Sequence, residues 1–364
     1  MSQVPSSELS ARLRQRIHEL LRGQGGWLPF DRFMAVALYE PGLGYYANAG
    51  RKFGAMPASG SDFVTAPEMS ALFGRALAVQ VAQALQACAS GEVWEFGAGS
   101  GALAAQLLDA LDERVGAYHV VELSAALRER QAERLQRWAG RVHWHDRLPE
   151  RIDGVVLGNE VLDAMPVQLL HWDGAQWFER GVVADGDGFG WQDRPTTLRA
   201  PPYEFVPGSV VEIHGQAEAF VRTLAERMHR AAAFFIDYGF PEAEYYHPQR
   251  SGGTLMCHRA HQADADPLSD VGLKDITAHV DFSGIALAAQ DAGLDVLGYT
   301  SQARFLINCG MPALLQAAPL DQRVAAQRLI HEHEMGELFK VLGLARGIEL
   351  DALGFASGDR SHRL

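Results

Sequence analysis

Apolar residues recur at helical spacing near the start of the chain, where Leu9, Leu13, Ile17, Leu20 and Leu21 share one face and Arg12, Arg14, Arg16 and Glu19 lie off it. This predicts an amphipathic helix docked on a core rather than a targeting segment. A loop rich in Gly, Pro and aromatic residues follows, from Pro41 to Asp62. It ends at Thr65-Ala66-Pro67-Glu68, whose spacing predicts a capping box that opens a helix running to about Cys88. From Val93 the pattern becomes strand and helix in alternation. Strands are predicted at 93–96, 118–121, 142–145 and 154–158, with helices at 102–111 and 127–138 between them. Such alternation implies an α/β fold, a parallel sheet flanked by helices, with ligands held at the carboxyl ends of the strands.

Residues 167–213 break that rhythm. Strands predicted at 168–172, 176–183 and 210–214, joined by Asp173-Gly174 and Asp185-Gly186-Asp187-Gly188 turns, read as an inserted antiparallel element. Helix returns at 216–231, followed by an apolar strand at 232–236 that ends in Asp237-Tyr238-Gly239. Segments at 254–258, 282–292 and 294–299 are expected to finish the sheet, and helices over about 319–344 to cap it. The resulting division is an N-terminal helical lid at 1–90, a core at 91–310 with insertions at about 167–213 and 240–280, and a helical cap and tail at 311–364. No stretch approaches the roughly 18 apolar residues of a membrane span.

Composition narrows the function classes. Forty-eight per cent hydrophobic and 21% charged residues are globular values. Forty-five acidic against 32 basic residues leave a net charge of −13, which disfavours nucleic acid as a partner and favours cationic or neutral ligands. Arg128, Arg130, Arg134 and Arg137 are interleaved with Glu129 and Glu133, as on a solvated helix face. Cys88, Cys257 and Cys309 lack CxxC spacing, so neither a disulfide framework nor a cysteine zinc site is expected, and a reducing, cytoplasmic compartment is. His258, His261 and His279 show no supporting ligand set, and His331 and His333 cannot share a helix face; no metal is expected.

The chemistry concentrates at Glu95-Phe96-Gly97-Ala98-Gly99-Ser100-Gly101, with Glu122 closing the next strand 21 residues after Gly101. Gly97, Gly99 and Ala102 satisfy a loose dinucleotide fingerprint, and Glu122 suits a ribose in either reading. Glu95 separates the two. A pyrophosphate about 5 Å from a carboxylate would cost roughly 3 kcal/mol at an effective dielectric of about 20. S-adenosylmethionine carries an ammonium and a sulfonium instead, so Glu95, Gly97, Ala98, Gly99, Gly101 and Glu122 are assigned to that cofactor. Asp146, just past the third strand, stands where an adenine-edge contact is expected, with a solvated turn as its alternative.

These segments, together with Gly44-Tyr45-Tyr46, Asp62-Phe63-Val64-Thr65-Ala66-Pro67-Glu68, Gly158-Asn159-Glu160-Val161-Leu162-Asp163-Ala164-Met165-Pro166, Asp237-Tyr238-Gly239, Gly253-Thr254-Leu255 and Asp275 to Phe282, resemble the MidA-like family of class I S-adenosylmethionine-dependent methyltransferases. The similarity runs from about residue 8 to 345; the Ser61-Asp62 step departs from an expected Gly-Asp. The resemblance implies a Rossmann-like methyltransferase sheet and S-adenosyl-L-methionine as cofactor. Because the family includes a mitochondrial complex I assembly factor that methylates protein arginine, it also implies a protein substrate, possibly a respiratory complex I subunit.

An arginine acceptor needs carboxylates that orient a delocalised guanidinium. Glu160 and Asp163, three apart past the fourth strand, are assigned that task, with Asn159 positioning cofactor or acceptor; a plain turn is the alternative. Thr65 and Pro67 are placed over the cofactor by the density of the family pattern, although a capping box alone explains Thr65 and Glu68. The competing functions are an assembly chaperone that binds cofactor with little turnover and a methyltransferase acting on a small molecule or RNA. No pattern encodes the oligomeric state.

Overall fold

The computed structural model describes residues 6–48 and 64–364. The Ser61-Asp62 step and most of the Gly- and Pro-rich loop lie outside the described residues. The chain divides into two compact units: Met1–Phe63 with Asp163–Ala217 and Glu242–Asp281, and Val64–Leu162 with Glu218–Pro241 and Phe282–Leu364. The cuts fall after residues 63, 162, 217, 241 and 281, so the helix Ala71–Cys88 lies in the same unit as the glycine turn.

In the second unit the sheet runs, strand by strand, Asp295–Ser301, Phe339–Arg346, Met228–Phe240, Ile152–Asn159, Glu92–Phe96, Ala117–Val121, Val142–His145. The last five are mutually parallel, whereas Phe339–Arg346 is antiparallel to both of its neighbours. That reversed strand separates this sheet from the all-parallel order of the dinucleotide fold. Ile152–Asn159 and Met228–Phe240 are central because their apolar runs, Val155-Val156-Leu157 and Ala231 to Ile236, can be buried on both faces. Helix Ala102–Leu111 buries Leu103, Leu107, Leu108 and Leu111 in the same core to which Ala71–Cys88 brings Leu72, Phe73, Leu77, Val81 and Leu85.

Several expectations change. Phe339–Arg346 lies inside the region read as a helical cap, yet it is a sheet strand. Residues 339 to 345 are buried one after another, and apart from Lys340 they are apolar or Gly, with no period that distinguishes strand from helix. The segment expected at 254–258 does not finish the main sheet; Met256–Arg259 pairs with Gln262–Asp264 and Asp275–Thr277 in a separate small sheet. Gly188, read as the end of a turn, instead begins a further strand, Gly188–Pro195, paired with Trp177–Asp185. The helix expected to reach 231 stops at Arg227, and the next strand takes over at Met228. The capping box is not formed. Thr65 makes no side-chain cap bond, Ala66–Met69 is a single turn, and Ser70 caps the long helix by accepting from the Leu72 amide.

The first unit is built around its own antiparallel sheet, ordered Leu28–Pro29, Trp177–Asp185, Gln168–Trp172, Val210–Ile213. Helix Ser6–Gly23 docks as its pattern predicts, with Leu13, Ile17 and Leu21 buried beside Phe30, Phe33 and Met34. Glu212 is a buried hub here: it accepts from the Thr254 and Leu255 amides at 2.7 and 3.0 Å and from the Tyr245 hydroxyl at 2.9 Å. Gly253 must be glycine at that approach, since a Cβ would sit 2.4 Å from a Glu212 oxygen and its φ is +75°.

Gly298 and Gly343 face each other in register, and the Phe355 ring fills the space they leave; a Cβ at 343 would lie 2.5 Å from Phe355 Cε2. The backbone entropy that Ala saves over Gly in a strand, about 0.5–1 kcal/mol, is smaller than the ~1–3 kcal/mol of overpacking a buried ring. Gly343→Ala is therefore expected to destabilise the protein in urea unfolding. An unchanged midpoint would mean that Phe355 does not depend on that space.

Candidate active site

The turn after Glu92–Phe96 places Gly97, Gly99 and Gly101 at φ of +61°, +54° and +79°, a region that side chains disfavour. Its backbone is pinned by the Gly97 amide donating to Val121 O at 3.2 Å and the Gly101 amide to Ala98 O at 2.7 Å. Ala98 is buried beneath the turn. Gly101 then opens helix Ala102–Leu111 without a side-chain cap, which leaves first-turn amides at the turn.

Glu122 is held beside this turn. One carboxylate oxygen accepts from the Ser124 amide at 2.9 Å and the other from Gln131 Nε2 at 3.2 Å, and burial raises its pKa. Gln131, wholly buried, also donates to Gly99 O at 2.9 Å and accepts from Trp144 Nε1 at 3.0 Å, so one amide side chain locks the acid to the glycine turn. Sequence reasoning missed Gln131, whose only signal is a polar residue on the inner face of a helix. It also missed Leu123, which is 69% exposed directly after Glu122 and offers an apolar surface there. Asp146 is exposed at the end of the next strand and pairs with Arg147 at 3.8 Å.

Glu95 is not an open charge facing the turn. Its carboxyl is buried, accepts from the Tyr118 hydroxyl at 2.6 Å, and is pushed up to about 7, chiefly by burial and further by Glu122, against the lowering effect of Tyr118. The electrostatic case against a pyrophosphate is thus weaker than a full negative charge would make it.

Glu68 has a tertiary use in place of a cap. It accepts from the Ser100 hydroxyl in the glycine turn and from Arg134 at 2.8 Å, while Arg134 also donates to Ser100 at 2.8 Å. Arg134 is therefore a clamp on the turn, not merely part of a solvated basic face. Arg137 lies over the Trp138 ring at 3.8 Å. Pro67 is buried and its carbonyl accepts from Gln106 at 2.7 Å, whereas Thr65 is half-buried at the head of the short turn.

At the end of Ile152–Asn159, Asn159 donates to the Glu160 carboxylate at 3.0 Å. Among the described residues, Asn159 Oδ1 is buried with no hydrogen-bond partner. Glu160 is left-handed, at φ +54°. Its amide donates to Ile236 O at 2.9 Å, and the Val161 and Leu162 amides donate to the buried Asp237 carboxylate at 3.1 and 2.9 Å. The helical turn expected to put Glu160 and Asp163 on one face is absent, because the left-handed residue breaks it. Asp163 is buried and opens the other unit, where its carbonyl accepts from the Ala278 amide at 2.9 Å. Among the described residues, no group of three or more His, Cys, Asp or Glu is arranged to hold a metal ion.

A family profile for S-adenosyl-L-methionine-dependent methyltransferases matches residues 76–300. The chain belongs to this family. A Burkholderia thailandensis protein solved bound to S-adenosyl-homocysteine is 49% identical, with a TM-score of 0.95 and 100% of both chains covered. Among relatives, the mitochondrial protein arginine methyltransferase NDUFAF7 of Danio rerio is 28% identical over 88% of this chain and 85% of its own, and the Drosophila melanogaster homolog 29% over 89% and 82%. The MidA-like resemblance and the class I methyltransferase fold hold, and the protein is a methyltransferase that uses S-adenosylmethionine. The names of these relatives are mitochondrial and lend no support to the cytoplasmic expectation. Among the described residues, no helix is long and apolar enough to cross a membrane.

For the methyltransferase, Glu95 sets a pH dependence. Its carboxyl titrates near 4.5 when unfolded and near 7 when folded, so its contribution to stability is full below about 4.5 and is lost as pH rises through about 7. Glu95→Gln keeps an acceptor for Tyr118 without the burial cost. It is expected to stabilise the cofactor-free protein by on the order of 3 kcal/mol at pH 8 and by little at pH 4.5. Urea unfolding at both pH values checks this; an equal difference at both would rule out Glu95 as the titrating group.

Proposed function

We propose that the protein methylates an arginine side chain of a protein substrate, with Glu160 contacting the guanidinium and Asn159 placing the acceptor or cofactor. The observation that carries this reading is the pairing of a carboxylate with a buried, unsatisfied amide oxygen, Glu160 with Asn159, at the carboxyl end of the strand adjacent to the glycine turn. Two acceptors converging there suit a cationic donor of several N–H groups. The relatives named protein arginine methyltransferases support the same acceptor class. A respiratory complex I subunit is the candidate substrate that the family resemblance implies.

The residues fit the cofactor as well. Three left-handed glycines leave room for close approach, Glu122 is oriented toward ribose chemistry by Ser124 and Gln131, and Leu123 presents an exposed apolar face for adenine. Asp146 remains our candidate for the adenine edge, and Thr65 with Pro67 for the rim of the cofactor site. When bound, S-adenosylmethionine supplies a methyl group on a sulfonium, which departs as a neutral thioether. The chain's part is alignment and charge placement. A Glu160 oxygen hydrogen-bonded to guanidinium N–H groups draws positive charge toward the nitrogens it holds and away from the attacking one.

Glu160→Gln keeps the shape and removes the charge. Loss of one charge-assisted contact in a desolvated site is worth roughly 2–4 kcal/mol. Methyl transfer is therefore expected to fall about 30- to 1,000-fold, with S-adenosylmethionine affinity by calorimetry within about threefold. The readout is mass spectrometry of a proteome incubated with isotopically labelled cofactor. Retained turnover in the variant removes Glu160 from the mechanism; labelling of a small molecule or RNA instead of arginine overturns the acceptor, and tight cofactor binding with no labelled product from the unaltered enzyme favours a chaperone.

A further inference from the structure

We infer that Asp237 is a positioning residue for the reaction: its carboxylate imposes the left-handed conformation of Glu160 and so aims the carboxylate that meets the acceptor. The inference rests on the role proposed for Glu160. A bulky side chain at φ +54° is disfavoured and persists only where its surroundings over-determine it. Here the restraints can be named. The Glu160 amide is tied to Ile236 O, and the next two amides, of Val161 and Leu162, both turn to Asp237 Oδ2. Successive amides pointing at one anion form a nest, and the reversal at Glu160 leads the chain into it. The other oxygen, Oδ1, accepts from the Tyr238 amide at 3.0 Å, which fixes the carboxylate itself. Asp237 is 1% exposed, so water does not compete for these bonds.

The conformation also reaches the cofactor turn. A Cβ on Gly97 would lie 3.2 Å from Val161 Cγ2, so the residue that follows Glu160 packs against the first glycine of the turn. At Gly158, a Cβ would meet Phe235 at 2.7 Å, which keeps the strands ending at Asn159 and Phe240 in close register. Asp237 thereby aligns the turn that bears Glu160 with the turn predicted to hold cofactor, without itself meeting the acceptor.

A thermal cycle tests the restraint independently of any chemistry by Glu160. Glycine tolerates φ above zero, so Glu160→Gly is expected to raise Tm by about 2 °C in the otherwise native chain. With Asp237→Ala the restraint is gone, residue 160 relaxes, and the gain is expected to vanish. An equal gain in both backgrounds overturns Asp237 as the source of the conformation. In the enzyme with Glu160 present, Asp237→Ala is expected to lower kcat at least about 30-fold with S-adenosylmethionine affinity within about threefold, and Asp237→Asn, which retains an acceptor of the same shape, to restore most of it. Native kcat in D237A overturns the positioning role. Should D237A not fold, Asp237→Ser, whose side chain is too short to accept from both amides, carries the test: deuterium exchange at the Val161 and Leu162 amides is expected to rise about tenfold, and unchanged exchange overturns the inference. Failure of the Glu160 reading registers separately, as an active E160Q enzyme.

Discussion

The site depends on how the chain leaves the carboxyl ends of two adjacent parallel strands. Glu92–Phe96 and Ile152–Asn159 pair with Phe96 opposite Gly158, and each is followed by a residue in the left-handed region, Gly97 in one case and Glu160 in the other. Glycine makes the first reversal at little steric cost. The second requires a side chain with chemistry to adopt the same backbone, and the Asp237 carboxylate offsets that cost by accepting two of the amides the reversal exposes. Asp237 is available because Met228–Phe240 pairs in parallel with Ile152–Asn159 and sets Ile236 opposite Asn159.

Acidic residues at this edge are satisfied in three different ways, and the differences assign their work. Asp237 is bound by backbone amides and shapes the chain. Glu122 is held by an amide and by Gln131, which also grips the glycine turn. Glu95 has the Tyr118 hydroxyl and a raised pKa, so its role is closer to that of a buried polar strut than of a standing charge. The net charge of −13 therefore says less about the local field than its sign suggests. Glu160, hydrogen-bonded to Asn159, is the acid here whose partner is itself a neighbour with an unsatisfied oxygen.

Motifs outside the site have structural work of their own. Gly253-Thr254-Leu255 is explained by Glu212, whose carboxylate gathers two amides of that segment where no Cβ fits at 253. Thr65-Ala66-Pro67-Glu68 reads locally as a cap, but its acid is spent on Ser100 and Arg134. In both cases the spacing marks a real constraint while the partner comes from a distant part of the chain.

Local pattern was enough to define the docked first helix, the alternating strands and helices from 92 to 159, the glycine turn and three strands of the antiparallel insertion, because each is specified by neighbours within a few residues. The E-x-G-x-G-x-G segment, with the other motifs, pointed to the cofactor class and the family, although the charge argument built on Glu95 is weakened by its burial. Tertiary structure decided the rest. Phe339–Arg346 is a strand paired on both edges and buried along its length, and a run that is apolar but for Lys340 cannot announce that. Gln131 and Asp237 act through bonds spanning 32 and 75 or more residues, so no local pattern names them. Glu160 is left-handed where its own amide meets Ile236 O and the next two amides meet Asp237, and a helical spacing to Asp163 has no meaning there. The sequence by itself determined which groups are present at the strand ends; the packing of distant strands decided which way they point.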